Sequence, residues 1–407
     1  MTDLFAPLHS LKQGNWFKLI CGASYQHLPA VRSLSLAYTL AGADCIDVAA
    51  DPAVIAAAQE ALQVAKTLAR EAQKRGFSYR GNSPFLMMSL NDGEDPHFRK
   101  AEFDSTKCPA HCPRPCERVC PAQAIVFNRS QDNFSGVEFQ KCYGCGRCIP
   151  LCPYDIIYTS SHMSTPQAIA PMVMSEGIDA IEIHTKVGRL AEFQKLWQVI
   201  SPWAEQLKVV AISCPDGEGM IDYLRAIYEI IIPRPQTIIW QTDGRPMSGD
   251  IGDGTTLAAV KLGQKVLSAK LPGYVQLAGG TNSYTVAKLK AMGLLKEARE
   301  QGSRGAGEQG SQYVAEVPSV VATGESRGEN LLQNFSSAPP PLRPSASVAG
   351  VAYGSYARVL LSPILDQLED KEVNNTNVKA TVRLEEQPDL LWEAVELAHS
   401  LVSQLKS

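Results

Sequence analysis

Residues 17–49 read FKLICGASYQHLPAVRSLSLAYTLAGADCIDVA. Two short apolar runs, Phe17–Cys21 and Cys45–Ala49, flank a Leu- and Ala-rich stretch, Pro29–Ala41, with helical spacing. Runs this short, bounded by Gly22 and Gly42, read as strands. A strand, a helix and a second strand in this order form a βαβ unit with parallel strands. The pattern continues outward. Ala53–Lys74 reads as a long Ala-rich helix stopped at Gly76, and Phe85–Leu90 as a third strand. After a long break a helix is predicted at Pro166–Ser175. Strands follow at Ala180–His184, Val209–Ser213, Thr237–Gln241, Tyr274–Ala278 and Ala349–Ala352. Helical stretches such as Leu190–Val199, Met220–Ile230 and Thr256–Ser268 separate them. Eight such units predict an α/β fold, a (β/α)8 TIM-like barrel. An open doubly wound sheet is the alternative.

Two segments interrupt the repeat. The barrel is expected over 1–90 and 166–370, split by an insertion at 91–165. A second insert, 301–347, is rich in Gly, Ser, Glu and Pro and has too few large apolar residues to pack, so it reads as disordered. The tail 371–407 carries an amphipathic helix, Asp389–Leu405, with Leu390, Leu391, Ala394, Leu397 and Leu401 as its buried stripe. Composition sets outer bounds. Of 407 residues, 45% are hydrophobic and 20% charged, with a net charge of −4. That balance excludes a wholly disordered chain and argues against a nucleic-acid partner, which calls for a basic surface. No apolar run is long enough to predict a transmembrane segment, and the start lacks a secretory pattern, so a cytoplasmic protein is expected.

The chain has 11 cysteines, an odd abundance where disulfides are rare, and eight of them fall in one short stretch. One run is Cys108-x3-Cys112-x3-Cys116-x3-Cys120-Pro121. The other is Cys142-x2-Cys145-x2-Cys148-x3-Cys152-Pro153. The second run has the spacing of bacterial ferredoxins. Both continue alike, as Pro121-Ala-Gln-Ala-Ile125 and Pro153-Tyr-Asp-Ile-Ile157, which suggests an internally duplicated two-cluster module. In such modules the fourth Cys of each run serves the other cluster. Two [4Fe–4S] clusters are therefore expected, one on Cys142, Cys145, Cys148 and Cys120, the other on Cys108, Cys112, Cys116 and Cys152. The wider spacing of the first run leaves its cluster type open. Zinc is the alternative, but its four-cysteine sites favour paired C-x2-C elements. Cys21, Cys45 and Cys214 read as packing residues.

An insertion after strand three of a barrel leaves from the C-terminal face, where active sites lie. The cluster module should therefore stand over the barrel mouth. Strand alternation turns Lys18, Asp47, Glu182, His184, Gln241 and Gln276 inward. Lys18, Glu182 and His184 are the candidate mouth residues. Mutual satisfaction of these groups in a polar barrel centre is the plainer reading. The Gly-rich loop Asp243–Gly254 could place Arg245 against an anion, or serve as a lid without chemistry. Gly279, Gly280 and Thr281 after strand seven, with Gly354 and Ser355 after strand eight, could cradle a phosphate. This pair resembles the FMN-phosphate site of barrel flavoenzymes such as dihydroorotate and dihydropyrimidine dehydrogenases. Ordinary tight turns would use the same residues.

Four segments carry a closer resemblance: GNWFKLICGASYQHLP (14–29), GADCIDVAADP (42–52), CYGCGRCIPLCPYDII (142–157) and AGGTNSYT (278–285). They resemble the light-dependent period (LdpA) proteins of cyanobacteria. The resemblance implies an iron–sulfur redox sensor that relays light-dependent cellular redox state to the circadian clock. Clock proteins would be its partners and a soluble or quinone-type carrier its electron donor. It would be cytoplasmic, or peripheral to the photosynthetic membrane. The rival is an FMN-dependent iron–sulfur oxidoreductase, for which no acid or base stands out. A third reading is a cluster that only stabilises a loop.

Overall fold

The computed structural model describes residues 6–21, 28–93, 99–120, 122–139, 141–142, 148–149, 151–161, 174–245, 254–296, 342–373 and 382–406. Eight strands close into a parallel barrel: β1 (Trp16–Ile20), β2 (Cys45–Ala49), β3 (Phe85–Asn91), β8 (Ala180–His184), β9 (Val209–Pro215), β10 (Ile238–Asp243), β11 (Gly273–Ala278) and β12 (Pro344–Tyr353). Four more strands, β4 (Arg99–Glu102), β5 (Ile125–Val126), β6 (Gly136–Val137) and β7 (Tyr158–Ser161), belong to the insertion between β3 and β8. The barrel prediction holds and the open sheet is excluded, because β1 pairs with both β2 and β12.

The strands are covered on both faces, and all five residues of β2 are buried. Such strands read as continuous apolar runs, which is why they were visible in the sequence. Helix α1 (Ala6–Gln13) precedes β1, and α2 (Leu28–Ala41) and α3 (Pro52–Lys74) follow β1 and β2. Asp51 caps α3 by accepting a hydrogen bond from the Ala53 amide, and Pro52 opens the helix where its missing N–H is not needed. Five of the eight buried residues of α3 are alanines, small enough to let a helix pack closely.

The short helix α1 was not expected. Its Leu8 and Leu11 join Trp16, Phe85, Met87, Val209 and Ile239 in an apolar cluster that fills the N-terminal end of the barrel. Polar interior residues are thus confined to the other half. The terminal helix, Pro388–Lys406, buries Leu390, Leu391, Ala394, Val395, Ala398, Leu401, Val402 and Leu405. This stripe is wider than expected, and Leu397 is only half-buried, because the helix packs on both α2 and the helix Ser355–Val373. Lys406 fastens its end to Asp44 at 2.5 Å. Strand β12 begins at Pro344, inside the stretch assigned to the second insert, where Ser345 and Ser347 obscured it. The rest of that insert, 301–341, and all but the last two residues of the helix expected at Pro166–Ser175 lie outside the described residues.

Barrel closure rests on a close approach between β1 and β12. A Cβ on Gly350 would lie 2.2 Å from the Trp16 carbonyl oxygen and 2.6 Å from the Trp16 Cβ. Gly350→Ala must push the two strands apart. The expected outcome is a loss of about 1–3 kcal/mol in urea denaturation, the usual cost of overpacking. An unchanged midpoint would contradict this account of the seam.

Candidate iron–sulfur centre and barrel mouth

β3 pairs directly with β8, from Met87 opposite Ala180 to Asn91 opposite His184. The insertion therefore leaves at the C-terminal end of β3, and the chain must cross to the other rim to begin β8. Its root is held by Asp92, whose amide donates to the His184 carbonyl at 3.1 Å and whose carboxylate meets Arg189 at 2.9 Å. Antiparallel pairing of β4 with β7, from Arg99–Ser161 to Glu102–Tyr158, closes the module.

The two cysteine runs fold alike where they can be compared. Gln123 and Asp155 each lie three residues after a fourth cysteine. Both take left-handed backbone angles, φ 50 and 51, and their amides donate to the carbonyls of Cys120 and Cys152 at 3.0 and 3.3 Å. The duplication seen in sequence is thus also a duplication of turns. Residues after each turn, Ala124 with Ile125 and Ile157, enter one apolar cluster with Ala101, Phe103, Cys116, Cys142, Cys148 and Cys152. The module has its own small core, and cysteines from both runs are part of it.

Around the sulfurs the backbone offers donors. The amide of Ala101 points at Cys142 Sγ at 3.3 Å, that of Ala124 at Cys120 Sγ at 3.2 Å, and that of Arg114 at Cys112 Sγ at 3.4 Å. Such bonds favour thiolate, the form that binds metal. Cys108 and Cys116 lie near Cys152 of the other run. Burial pushes the Cys116 thiol up to about 11, and Cys152, Cys108 and Cys112 add to the shift. Cys108 is raised too, first by burial and then by Cys112 and Cys152. Grouped thiols that resist ionisation together suit a cationic group that would neutralise them. Among the described residues no three His, Cys, Asp or Glu side chains close around a single metal ion, and none of the ten described cysteines is in a disulfide. Cys120, Cys142 and Cys148 are described, whereas Cys145 lies outside the described residues.

The polar barrel residues do meet. Lys18 Nζ reaches Asp47 at 2.8 Å and Gln241 Oε1 at 2.9 Å, and is paired with Glu182. Gln241 Nε2 donates to Glu182 at 2.6 Å, Gln276 Nε2 donates to Gln241 at 2.6 Å, and Trp16 Nε1 donates to Gln276 at 2.7 Å. Ser89 donates to Asp47 at 2.7 Å. Lys18, Asp47 and Glu182 are at most 1% exposed. Burial alone would lower the Lys18 pKa, but the two carboxylates outweigh it and hold it above the ordinary lysine value. Burial raises Asp47 against the opposing pull of Lys18. Each donor and carboxylate here has a partner within the barrel, so the centre is self-satisfied. Only His184, at 27% exposure, looks outward, with Nε2 3.2 Å from Glu182.

The glycine-rich turns also serve internal packing. A Cβ on Gly279 would strike the Arg245 backbone at 2.6 Å, and one on Gly280 the Thr255 backbone at 3.0 Å. Thr281 donates to the Ala352 carbonyl at 2.6 Å. Gly354 and Ser355 stay half-exposed at the start of the helix Ser355–Val373, where Arg358 reaches Ser355 Oγ at 3.2 Å. Of the loop after β10, residues 246–253 lie outside the described residues. Cys21 and Cys214 are buried, and burial first of all pushes both thiols up to about 12, so neither is a reactive thiolate.

One buried contact beside the cysteine module was missed by sequence reasoning. Lys100 of β4 pairs with Asp51, the cap of α3, at 2.9 Å, with side chains 3% and 1% exposed. No spacing rule links residues that far apart, and a lone lysine in a strand reads as solvated. For the barrel centre, Lys18→Met leaves two buried carboxylates without a counter-charge. It should cost about 3–5 kcal/mol in urea denaturation, with much of the loss recovered when Asp47→Asn and Glu182→Gln are added. A loss well below about 1 kcal/mol would contradict the ion network.

Comparison with known proteins agrees with this anatomy. A family profile described as the light dependent period A C-terminal domain matches residues 172–404, and one for the LdpA Fe–S cluster-binding domain matches residues 108–163. The chain is 44% identical over 400 residues to Light dependent period A of Synechococcus elongatus, covering 98% of this chain and 94% of that protein. Shorter matches occur to a tetrathionate reductase subunit of Salmonella typhimurium, 39% identical over 56 residues, 14% of this chain and 22% of that protein. A selenate reductase subunit of Mesobacillus selenatarsenatis is 42% identical over 40 residues, 10% of this chain and 13% of that protein. Among solved structures, a geranylgeranylglyceryl phosphate synthase from Thermoplasma acidophilum aligns over 100% of this chain and 99% of that one, at TM-score 0.29 and 11% identity. With the cluster-binding segment inserted in the barrel and the profile matches covering both it and the strands that follow, the chain belongs to the light dependent period A family.

Proposed function

We propose that the protein is an iron–sulfur redox sensor with two [4Fe–4S] clusters. Cys108, Cys112, Cys116 and Cys152 would hold one cluster, and Cys120, Cys142, Cys145 and Cys148 the other. The observation that carries this reading is the company of Cys152, which shares one small core with Cys116 of the first run and acts electrostatically on Cys108 and Cys116. Such proximity across the runs is what interleaved ligand sets require. Each bound cluster supplies reversible one-electron chemistry. The chain's own residues keep the sulfurs as acceptors of backbone N–H bonds, pack them in a small apolar core, and set the module on the C-terminal face of the barrel.

In this reading the oxidation state follows a soluble or quinone-type electron donor, and the signal passes to circadian clock proteins, in keeping with the light-dependent period named for the Synechococcus relative. No helix among the described residues is long and apolar enough to cross a membrane, so a quinone would be met at a membrane surface. The FMN-dependent oxidoreductase remains the second reading, with Gly279, Gly280, Thr281, Gly354 and Ser355 as its phosphate cradle. The packing roles of Gly279, Gly280 and Thr281 weigh against it.

Anaerobic purification tests the proposal. The expected product is brown, with about eight irons per chain for two four-iron clusters. Cys116→Ser should lose about half the iron and keep the barrel's circular dichroism. Colourless protein with stoichiometric zinc would overturn the reading, and stoichiometric FMN in the purified protein would move it to the enzyme.

A further inference from the structure

Lys100 is a buried cation at the junction of three segments. Its Nζ donates to Asp51 Oδ2 and to the Phe139 carbonyl, both at 2.9 Å, and lies 4.2 Å from the centre of the Phe139 ring. Asp51 belongs to the barrel, where its other oxygen accepts the Ala53 amide at 2.9 Å and so caps α3. Phe139 leads into the turn whose Glu138 carbonyl accepts the Cys142 amide at 3.1 Å. The residue after Lys100 is Ala101, whose amide donates to Cys142 Sγ at 3.3 Å. One ammonium therefore ties a helix cap, a strand and a cysteine loop together.

The energetics favour a role in position and field over one in bulk stability. A buried ion pair returns little net stability, because desolvation offsets most of the attraction. Its charges act over longer range than they would in water, since the interior screens them weakly.

We propose that Lys100 is a positioning residue for the Cys142 side of the iron–sulfur centre, holding the Ala101 amide on the sulfur, adding positive charge beside it, and coupling both to the N-cap of helix α3. The inference rests on the assignment of Cys142 as a cluster ligand. It gives the module a physical route to the barrel. Any change in charge at the sulfurs alters the pull on Lys100, and Lys100 shares its charge with the carboxylate that caps α3.

Full-length protein, purified anaerobically, provides the test. Lys100→Met should keep wild-type iron content while one potential falls. The oxidised-to-reduced ratio at fixed ambient potential should rise about tenfold, which is 59 mV for one electron. Lys100→Arg keeps the charge and should return the ratio to within about twofold of wild type. Asp51→Asn removes a negative charge while retaining a capping side chain, so the same potential should move the opposite way. Hydrogen exchange at the start of α3 should rise in Lys100→Met, and in wild type should differ between oxidised and reduced samples. Full iron content with wild-type potentials and unchanged exchange in Lys100→Met would overturn the inference. If Lys100→Met loses its iron, the Asp51→Asn shift decides: no shift, or a shift of the same sign as charge removal at Lys100, overturns it. Wild-type protein without iron would instead overturn the iron–sulfur reading on which it stands.

Discussion

Direct pairing of β3 with β8 is the constraint on which the rest depends. Met87 lies opposite Ala180 and Asn91 opposite His184, so a parallel barrel seam runs straight past a long insertion. The chain between these parallel strands must leave at the C-terminal end of β3 and cross to the N-terminal end of β8, and the antiparallel pairing of β4 with β7 brings the module's end back beside its start, at the rim it leaves from. Because the module directly follows β3, that rim is the C-terminal one, where barrels carry their chemistry. The place of the cysteine module follows from its exit after β3 and its closure by β4 and β7, and its root is locked by the Asp92–Arg189 pair and the His184 carbonyl.

The two halves of the molecule treat polarity differently. The barrel centre holds Lys18, Asp47 and Glu182 in a closed set of partners, sealed below by the α1 plug. All of its strong donors and acceptors are used internally, which suits a scaffold. The module does the reverse. It brings thiols together in an apolar core and turns backbone amides toward them, an arrangement that resists bare thiolates and welcomes a group able to neutralise them. Lys100 and Asp51 join the two halves at a point where charge and helix geometry share one carboxylate.

Much of this was legible in the sequence. The barrel strands are buried on both faces and so appear as short apolar runs, and the ferredoxin spacing fixes the chemistry of the second cysteine run. The inward set from Lys18 to Gln276 followed from strand alternation alone. What escaped had physical reasons. Helix α1 is too short for a periodic signal, and its plugging role depends on Trp16 and Phe85 beneath it. The start of β12 is polar at Ser345 and Ser347, so it resembled the insert before it. The glycines at 279 and 280 suggested a phosphate cradle, yet the space beside them holds the backbones of Arg245 and Thr255. The Lys100–Asp51 pair joins elements that only the closed barrel brings together.

The central claim is that cysteines of both runs share two interleaved ligand sets. Electron paramagnetic resonance of anaerobically reduced protein tests it most directly. The expected result is a pair of magnetically interacting reduced clusters, because interleaved ligands place them side by side. A single isolated signal, or none at any accessible potential, would contradict the account.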